Sequence, residues 1–206
     1  MSVQHSTPIP ALAGIGLRSH HFREILDAPP SVAWMETHPE NYFGEGGATL
    51  RILERIRGRY PLSFHGVGLS LGSTDSLDRV HLRKLKTLVD RFDPALVSEH
   101  LSWSSVGGRF LNELLPLPST EESLKHVCSR IDEIQTVLQR PLLVENITRY
   151  LTWRESTIPE GAFMAKVARS TGCGILLDLN NVYVNAVNFH LDPFDFLDAI
   201  PVEAVQ

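Results

Sequence analysis

The sequence predicts an α/β fold, a TIM-type (β/α) barrel with about six of its eight βα units carried in 206 residues. Three observations support that reading. Short apolar runs alternate with amphipathic segments six times, the pattern of a parallel sheet with helical crossovers. Each run ends in a polar, chemically capable residue: Arg18, Glu36, His65, His100, Glu145 and Asp178. A barrel gathers the C-terminal ends of its strands around one axis, whereas an open sheet spreads them along a line. The first turn also lacks a GxGxxG or GKS/T phosphate loop. That weakens the nucleotide-binding, doubly wound sheet which the alternation would otherwise fit equally well.

The elements follow in order. Strands are expected at 13–18, 32–36, 62–65, 96–100, 142–145 and 175–178. Helices are expected at 22–27, 49–57, 77–92, 121–138, 160–170 and 193–199. Leu50, Leu53 and Ile56 recur at helical spacing in the second of these, and Val80, Leu82, Leu85, Leu88 and Val89 share one side of the third. Thr120 is placed to cap the fourth helix, and Gly172 to end the fifth. Residues 202–205 resemble the opening of a seventh strand. Six units do not close an eight-stranded barrel, and such barrels typically run to about 250 residues. The expectation is therefore one (β/α) barrel domain over residues 1–206, incomplete at its C-terminus.

Composition narrows the functional classes. Hydrophobic residues make up 43% and charged residues 21%, enough apolar material to bury a core and unlike a disordered or collagen-like chain. A formal charge of −5 argues against a nucleic-acid partner, which usually meets a basic face. The basic stretch at 79–91 alternates with apolar residues and reads as a solvated helix face. No apolar run approaches the roughly 20 residues needed to span a bilayer. The opening MSVQHSTPIPALAGIGL lacks a positively charged start, so no secretory signal is expected. Cys128 and Cys173 are too few for a disulfide framework or a cysteine metal site. A cytoplasmic, reduced setting is the expectation.

Four successive strand ends offer metal-ligand types: His65 in SFHGVGLS, His100 in SEHLSW, Glu145 in LLVENITRY and Asp178 in LLDLNN. Imidazole with carboxylate and no thiolate suits iron, zinc or manganese. A lone histidine at a strand end is ordinarily a hydrogen-bonded structural residue. Two histidines and two acids gathered at one barrel mouth instead need a metal or mutual pairing, because a buried carboxylate is costly alone. His38, Glu40 and Asn41 follow the second strand and line either the pocket or an ordinary turn. Asn180, Asn181, Asn185 and Asn188 read mainly as turn formers, with His190 further along the same loop. Gly66, Gly68 and Gly72 suit either a loop close to a ligand or a tight turn. Cys173 precedes the sixth strand, at the opposite end from Asp178, and reads as structural. His5, His20, His21, His81 and His126 have no ligand context.

The motifs GIGLRSHH, METHPENYF, SFHGVGLSLGS, SEHLSWS, LLPLPSTEESL, LVENITRYL and LLDLNNVYVNAVN resemble the signatures of one bacterial family, the multinuclear non-haem iron-dependent oxidative enzymes. Methanobactin oxazolone/thioamide synthase is a characterised member. The resemblance runs through residues 14–200. It implies a TIM barrel holding two or three iron ions and using O₂ to modify residues, often cysteines, of a ribosomally made precursor peptide. It also implies a small partner protein that delivers the peptide leader. Carried over by position, His65 and His100 match histidine ligands, Glu145 a bridging carboxylate and Asp178 a further ligand, with Asn181 a weaker candidate in the same motif. Glu36 and Asn41 match positions near the substrate or behind the ligands, and His190 is grouped with them. The resemblance also implies further ligands on seventh and eighth strands. Two other readings stay open: a divalent-metal sugar isomerase or phosphodiester hydrolase on the same barrel, and an inactive fragment or binding module.

Overall fold

The computed structural model describes residues 9–206, so His5 and the first residues of the stretch read for a secretory signal lie outside the described residues. Strands and helices alternate along the chain, and the sheet is mostly parallel. The chain divides into two compact units. One comprises the residues up to Gly66 together with Arg79–Val97, the other Val67–Asp78 with Ser98–Gln206.

The first unit runs β1 (Ile15–Gly16), α1 (Phe22–Asp27), β2 (Met35–Thr37), α2 (Ala48–Arg57), β3 (Leu62–Gly66) and α3 (Arg79–Phe92). β1 pairs with β2, and β2 with β3, all parallel, with Glu36 opposite Gly16 and Ser63. The second strand starts three residues later than expected. Pro29 and Pro30 cannot donate to a ladder, and the Val32 amide donates to Pro30 O (2.9 Å), which bends the chain away from the sheet. The helical spacing holds except at Val80: α2 buries Leu50, Leu53 and Ile56, and α3 buries Leu82, Leu85, Leu88, Val89 and Phe92, while Val80 in its first turn is exposed. Phe64 from β3 meets Phe92 edge to face at 6.2 Å. Arg57 at the end of α2 donates from Nε to Phe92 O (2.8 Å). It thereby satisfies a carbonyl that the end of α3 would otherwise leave without a partner.

The second unit contains most of β4 (Leu96–His100), the hairpin β5 (Trp103–Val106) and β6 (Arg109–Leu115), and α4 (Glu121–Leu138). It continues with β7 (Leu143–Glu145), α5 (Glu160–Thr171), β8 (Gly174–Leu176), α6 (Leu179–Phe189) and α7 (Pro193–Ala199). β7 lies between β4 and β8, parallel to both, with His100 opposite Glu145 and Glu145 opposite Leu176. Thr120 caps α4 by accepting from Ser123 N, and Gly172 ends α5 in the left-handed conformation, φ +67°. The seventh-strand opening is a short 3-10 turn followed by one parallel bridge, Ile175 to Val205.

The sixth strand ends at Leu176, short of Asp178, and two further elements differ from the sequence reading. Residues 103–115 form a hairpin that had no place among the expected elements. Its signal is Gly107-Gly108, both at positive φ (59° and 70°), closing a two-residue turn that Asp75 fastens by accepting both amides. The asparagine-rich stretch after β8 is a helix, α6, and not a loop. Asn disfavours helix interiors, but here tertiary bonds outweigh propensity. Asn181, Asn185 and Asn188 lie on one face and donate to the carbonyls of Asn146, Ile147 and Arg149, each at 2.9 Å. The side chains that would favour turns are thus spent on a neighbouring extended segment.

Among the described residues, no helix is long and apolar enough to cross a membrane.

Candidate metal centre

His65, His100 and Glu145 stand at the C-terminal ends of β3, β4 and β7, and only 6–8% of each is exposed. Each offers a ligand atom of a kind that holds metal ions.

Within the first unit, His65 is the penultimate residue of β3. His38 supports it, with Nδ1 2.8 Å from His65 O and the two rings 5.8 Å apart. Glu36 is half-buried on β2, and Asn41 is exposed in the short turn Pro39–Tyr42. Glu40 is engaged by His81 at 3.3 Å.

Within the second unit, the parallel register sets His100 beside Glu145, and Nε2 lies 3.3 Å from Glu145 Oε2. The other ring nitrogen, Nδ1, lies 3.4 Å from Oε1 of Glu99. A neutral ring with its proton on Nδ1 would turn a lone pair toward the Glu145 carboxylate. Two acceptors facing each other at that distance are reconciled by a proton or a metal ion between them. A buried imidazole and a buried carboxylate are also donors of the type that divalent iron, zinc and manganese take. The donor set fits a metal.

Asp178 and Asn181 are drawn into the scaffold. Asp178 caps α6, with Oδ1 accepting from Asn181 N at 2.8 Å, while Asn146 bonds both its backbone N–H and its carbonyl at 2.9 Å. Asn181 donates to Asn146 O, and its Oδ1 accepts from the Thr148 hydroxyl at 2.6 Å. His190 is exposed and caps the far end of α6. At 1.5 Å of rise per residue the helix carries it roughly 18 Å from Asp178, so these two are not brought together. Cys173 is buried, and that burial pushes its thiol pKa up, as fits a structural thiol.

The sequence reading missed Glu99 and Asn146. Strand alternation sends Glu99 to the face opposite His100, and Asn146 is one residue past a strand end. It also missed the ion pair of Arg149 and Glu160 (2.8 Å), which lines a cavity of about 310 Å³ with Val182, Asn185 and Phe196. Burial pushes the Glu160 carboxyl up and the guanidinium beside it pulls it back, for a net rise. The glycine-bearing loop after β3 is a pinned turn. Arg130 donates to Asp75 O, Leu69 O and Ser70 O, and the Ser70 hydroxyl accepts from Ser104 N and Ser105 N.

Comparison with known proteins accords with this picture. Residues 12–206 match the family described as RiPP precursor modification enzyme MbnB/TglH/ChrH. A UPF0276 protein of Acaryochloris marina is 48% identical over 194 residues, covering 94% of this chain and 70% of that relative. One from Anaeromyxobacter sp. is 48% identical over 192 residues, covering 93% and 68%. Among solved structures, D-psicose 3-epimerase aligns with a TM-score of 0.57 at 12% identity, covering 83% of this chain and 64% of the epimerase. Endonuclease IV from Thermus thermophilus aligns at 0.56 and 17%, covering 93% and 73%. The chain thus spans less than two thirds of the epimerase's length. Both neighbours are TIM-barrel enzymes, and at such identities the likeness carries the fold alone: an α/β architecture of the TIM-barrel type. On the family match and the relatives together, this chain belongs to the MbnB/TglH/ChrH family of RiPP precursor modification enzymes.

Proposed function

We propose that this protein is an iron- and O₂-dependent enzyme that oxidatively modifies residues, often cysteine, of a ribosomally made precursor peptide, working in the cytoplasm as one (β/α) barrel domain. The observation that carries the proposal is the buried pair His100 and Glu145 at neighbouring strand ends, with His100 Nε2 3.3 Å from Glu145 Oε2. The family supplies the peptide as substrate.

In this reading His65, His100 and Glu145 would hold iron, with Asp178 and Asn181 as further members of the set. Glu36 and Asn41 stand beside the substrate, and His190 belongs to its outer surroundings. Bound iron, two or three ions in all, supplies the redox chemistry with O₂. The chain's own residues hold the ligands in place: the β4–β7 register fixes His100 against Glu145, and Asn146 fixes the backbone of Asp178. His100 and Glu145 are themselves buried, which shields both from bulk water. A small partner protein presenting the peptide leader belongs to the same proposal.

Anaerobic loading with Fe(II), followed by metal analysis and by O₂ uptake with a cysteine-containing peptide, tests it. Bound iron that falls in His65→Ala and Glu145→Ala, with peptide-dependent O₂ consumption, is the expected result. Stoichiometric zinc with no dependence on iron or O₂ would overturn it in favour of isomerase or hydrolase chemistry.

A further inference from the structure

Glu99 is 1% exposed, and an ionised carboxylate buried so deeply is costly unless N–H groups meet it. Its two oxygens are met from two directions. Oε2 accepts from Leu69 N at 2.9 Å, in the loop that follows β3. Oε1 accepts from the backbone N–H of His100 at 2.9 Å and faces that residue's ring Nδ1 at 3.4 Å. The opposite ring nitrogen faces Glu145. One imidazole is thus held between two buried carboxylates, only one of which belongs to the proposed ligand set.

We infer that Glu99 is the positioning residue of the metal centre: it holds the His100 ring with the proton on Nδ1 and leaves Nε2 to the ion. The inference rests on the metal reading above and goes beyond it, since Glu99 itself touches no ion. The physical reason is general. A carboxylate on one ring nitrogen fixes both the tautomer and the ring rotation and raises the basicity of the other nitrogen, and removing such a partner lowers metal affinity roughly 10- to 100-fold. Glu99 adds a tie that a free carboxylate would lack. The oxygen not facing His100 is anchored to Leu69, a backbone group in a loop pinned by Arg130. The carboxylate is therefore held from behind, and rotation of the ring would cost its bond to Nδ1 with no gain elsewhere.

The experiment uses zinc(II) as a diamagnetic probe on the full chain. Zinc affinity is measured by competition with a chromophoric chelator, and long-range ¹H–¹⁵N correlation reports which ring nitrogen of His100 carries the proton. The His100 signals are assigned by their loss in His100→Gln. In the wild type, zinc is expected on Nε2 with the proton on Nδ1. In Glu99→Gln, affinity is expected to fall about 10- to 100-fold while circular dichroism and the melting temperature of the metal-free protein stay near wild type. Zinc on Nδ1 in the wild type overturns the inference and leaves the metal reading standing, and it needs no variant to fold. Unchanged affinity in a folded Glu99→Gln does the same. A wild type that binds no zinc or iron overturns both.

Discussion

Asn185 should be worth several times more stability than its neighbour Asn188, although both are asparagines on one face of α6 that donate to the same extended segment. Asn185 is 5% exposed, donates from Nδ2 to Ile147 O at 2.9 Å and accepts from Arg149 N at 2.7 Å. Asn185→Ala leaves a backbone acceptor and a backbone donor without their partners. Each buried group so orphaned costs about 1–3 kcal/mol, against a gain of roughly 0.6 kcal/mol from alanine's better helix propensity. The losses win, with a net cost of about 3 kcal/mol. Asn188 makes one exposed bond, to Arg149 O. Water replaces that bond at a cost of about 0.5–1 kcal/mol, which the propensity gain nearly offsets. For a chain of this size 1 kcal/mol moves Tm by about 2–4 °C. Thermal melts and urea titrations should then show Asn185→Ala lower by roughly 6–12 °C and Asn188→Ala within a degree or two of wild type. Equal shifts in the two variants would refute the argument that these bonds, and not propensity, make this stretch helical.

Other substitutions test other parts of the molecule. Gly161→Ala should destabilise although alanine is the better helix former, because its Cβ would sit 2.8 Å from Phe196 O and 3.1 Å from Ala199 Cβ. Overpacking against backbone costs about 1–3 kcal/mol, and a Tm at or above wild type would show that α7 yields freely. Glu160, raised by burial against the pull of Arg149, holds its proton to higher pH in the folded chain than in the unfolded one. Its stabilising contribution is therefore present below the ordinary Glu value of about 4.3 and is lost as pH rises through the raised value. The Tm difference between wild type and Glu160→Gln should fall over that window, and a difference that stays constant with pH would contradict it.

The sequence makes some features legible and hides others for identifiable reasons. Leu50, Leu53 and Ile56, or Leu82, Leu85 and Leu88, announce their helices because one apolar stripe must be buried, whatever it packs against. His65, His100 and Glu145 are readable as site candidates because each closes an apolar run, where a parallel strand ends. Glu99 is not readable. Nothing in SEH distinguishes an acid that faces solvent from one that bends back to its neighbour's amide, and the distinction depends on Leu69, thirty residues away. α6 is hidden for the same kind of reason, since its asparagines answer to carbonyls at 146–149 and not to their own helix. The hairpin at 103–115 carries a legible signal in Gly107-Gly108, whose positive φ values fit a tight two-residue turn.

The end of β7 shows how the two asparagine features and the proposed metal ligands are linked. Glu145 is opposite His100 in the ladder, and the next residue, Asn146, holds the backbone of Asp178 by two bonds while accepting from Asn181. Two consecutive residues thus reach toward two neighbouring strand ends, one with a carboxylate and one with an amide. The backbone spacing between Glu145 and Asp178 is then set by the β7–β8 ladder, which ends at Leu176, and by the two bonds of the short Asn146 side chain beyond it. Such an arrangement loses little conformational entropy when a ligand binds, because the groups are ordered in advance. It also means that the asparagines of α6 act on the site from behind. By clipping residues 146–149 to the helix that Asp178 caps, they keep the segment after Glu145 from moving independently of Asp178. Loss of Asn146 should therefore loosen the backbone of Asp178 relative to Glu145 while leaving both carboxylates chemically intact.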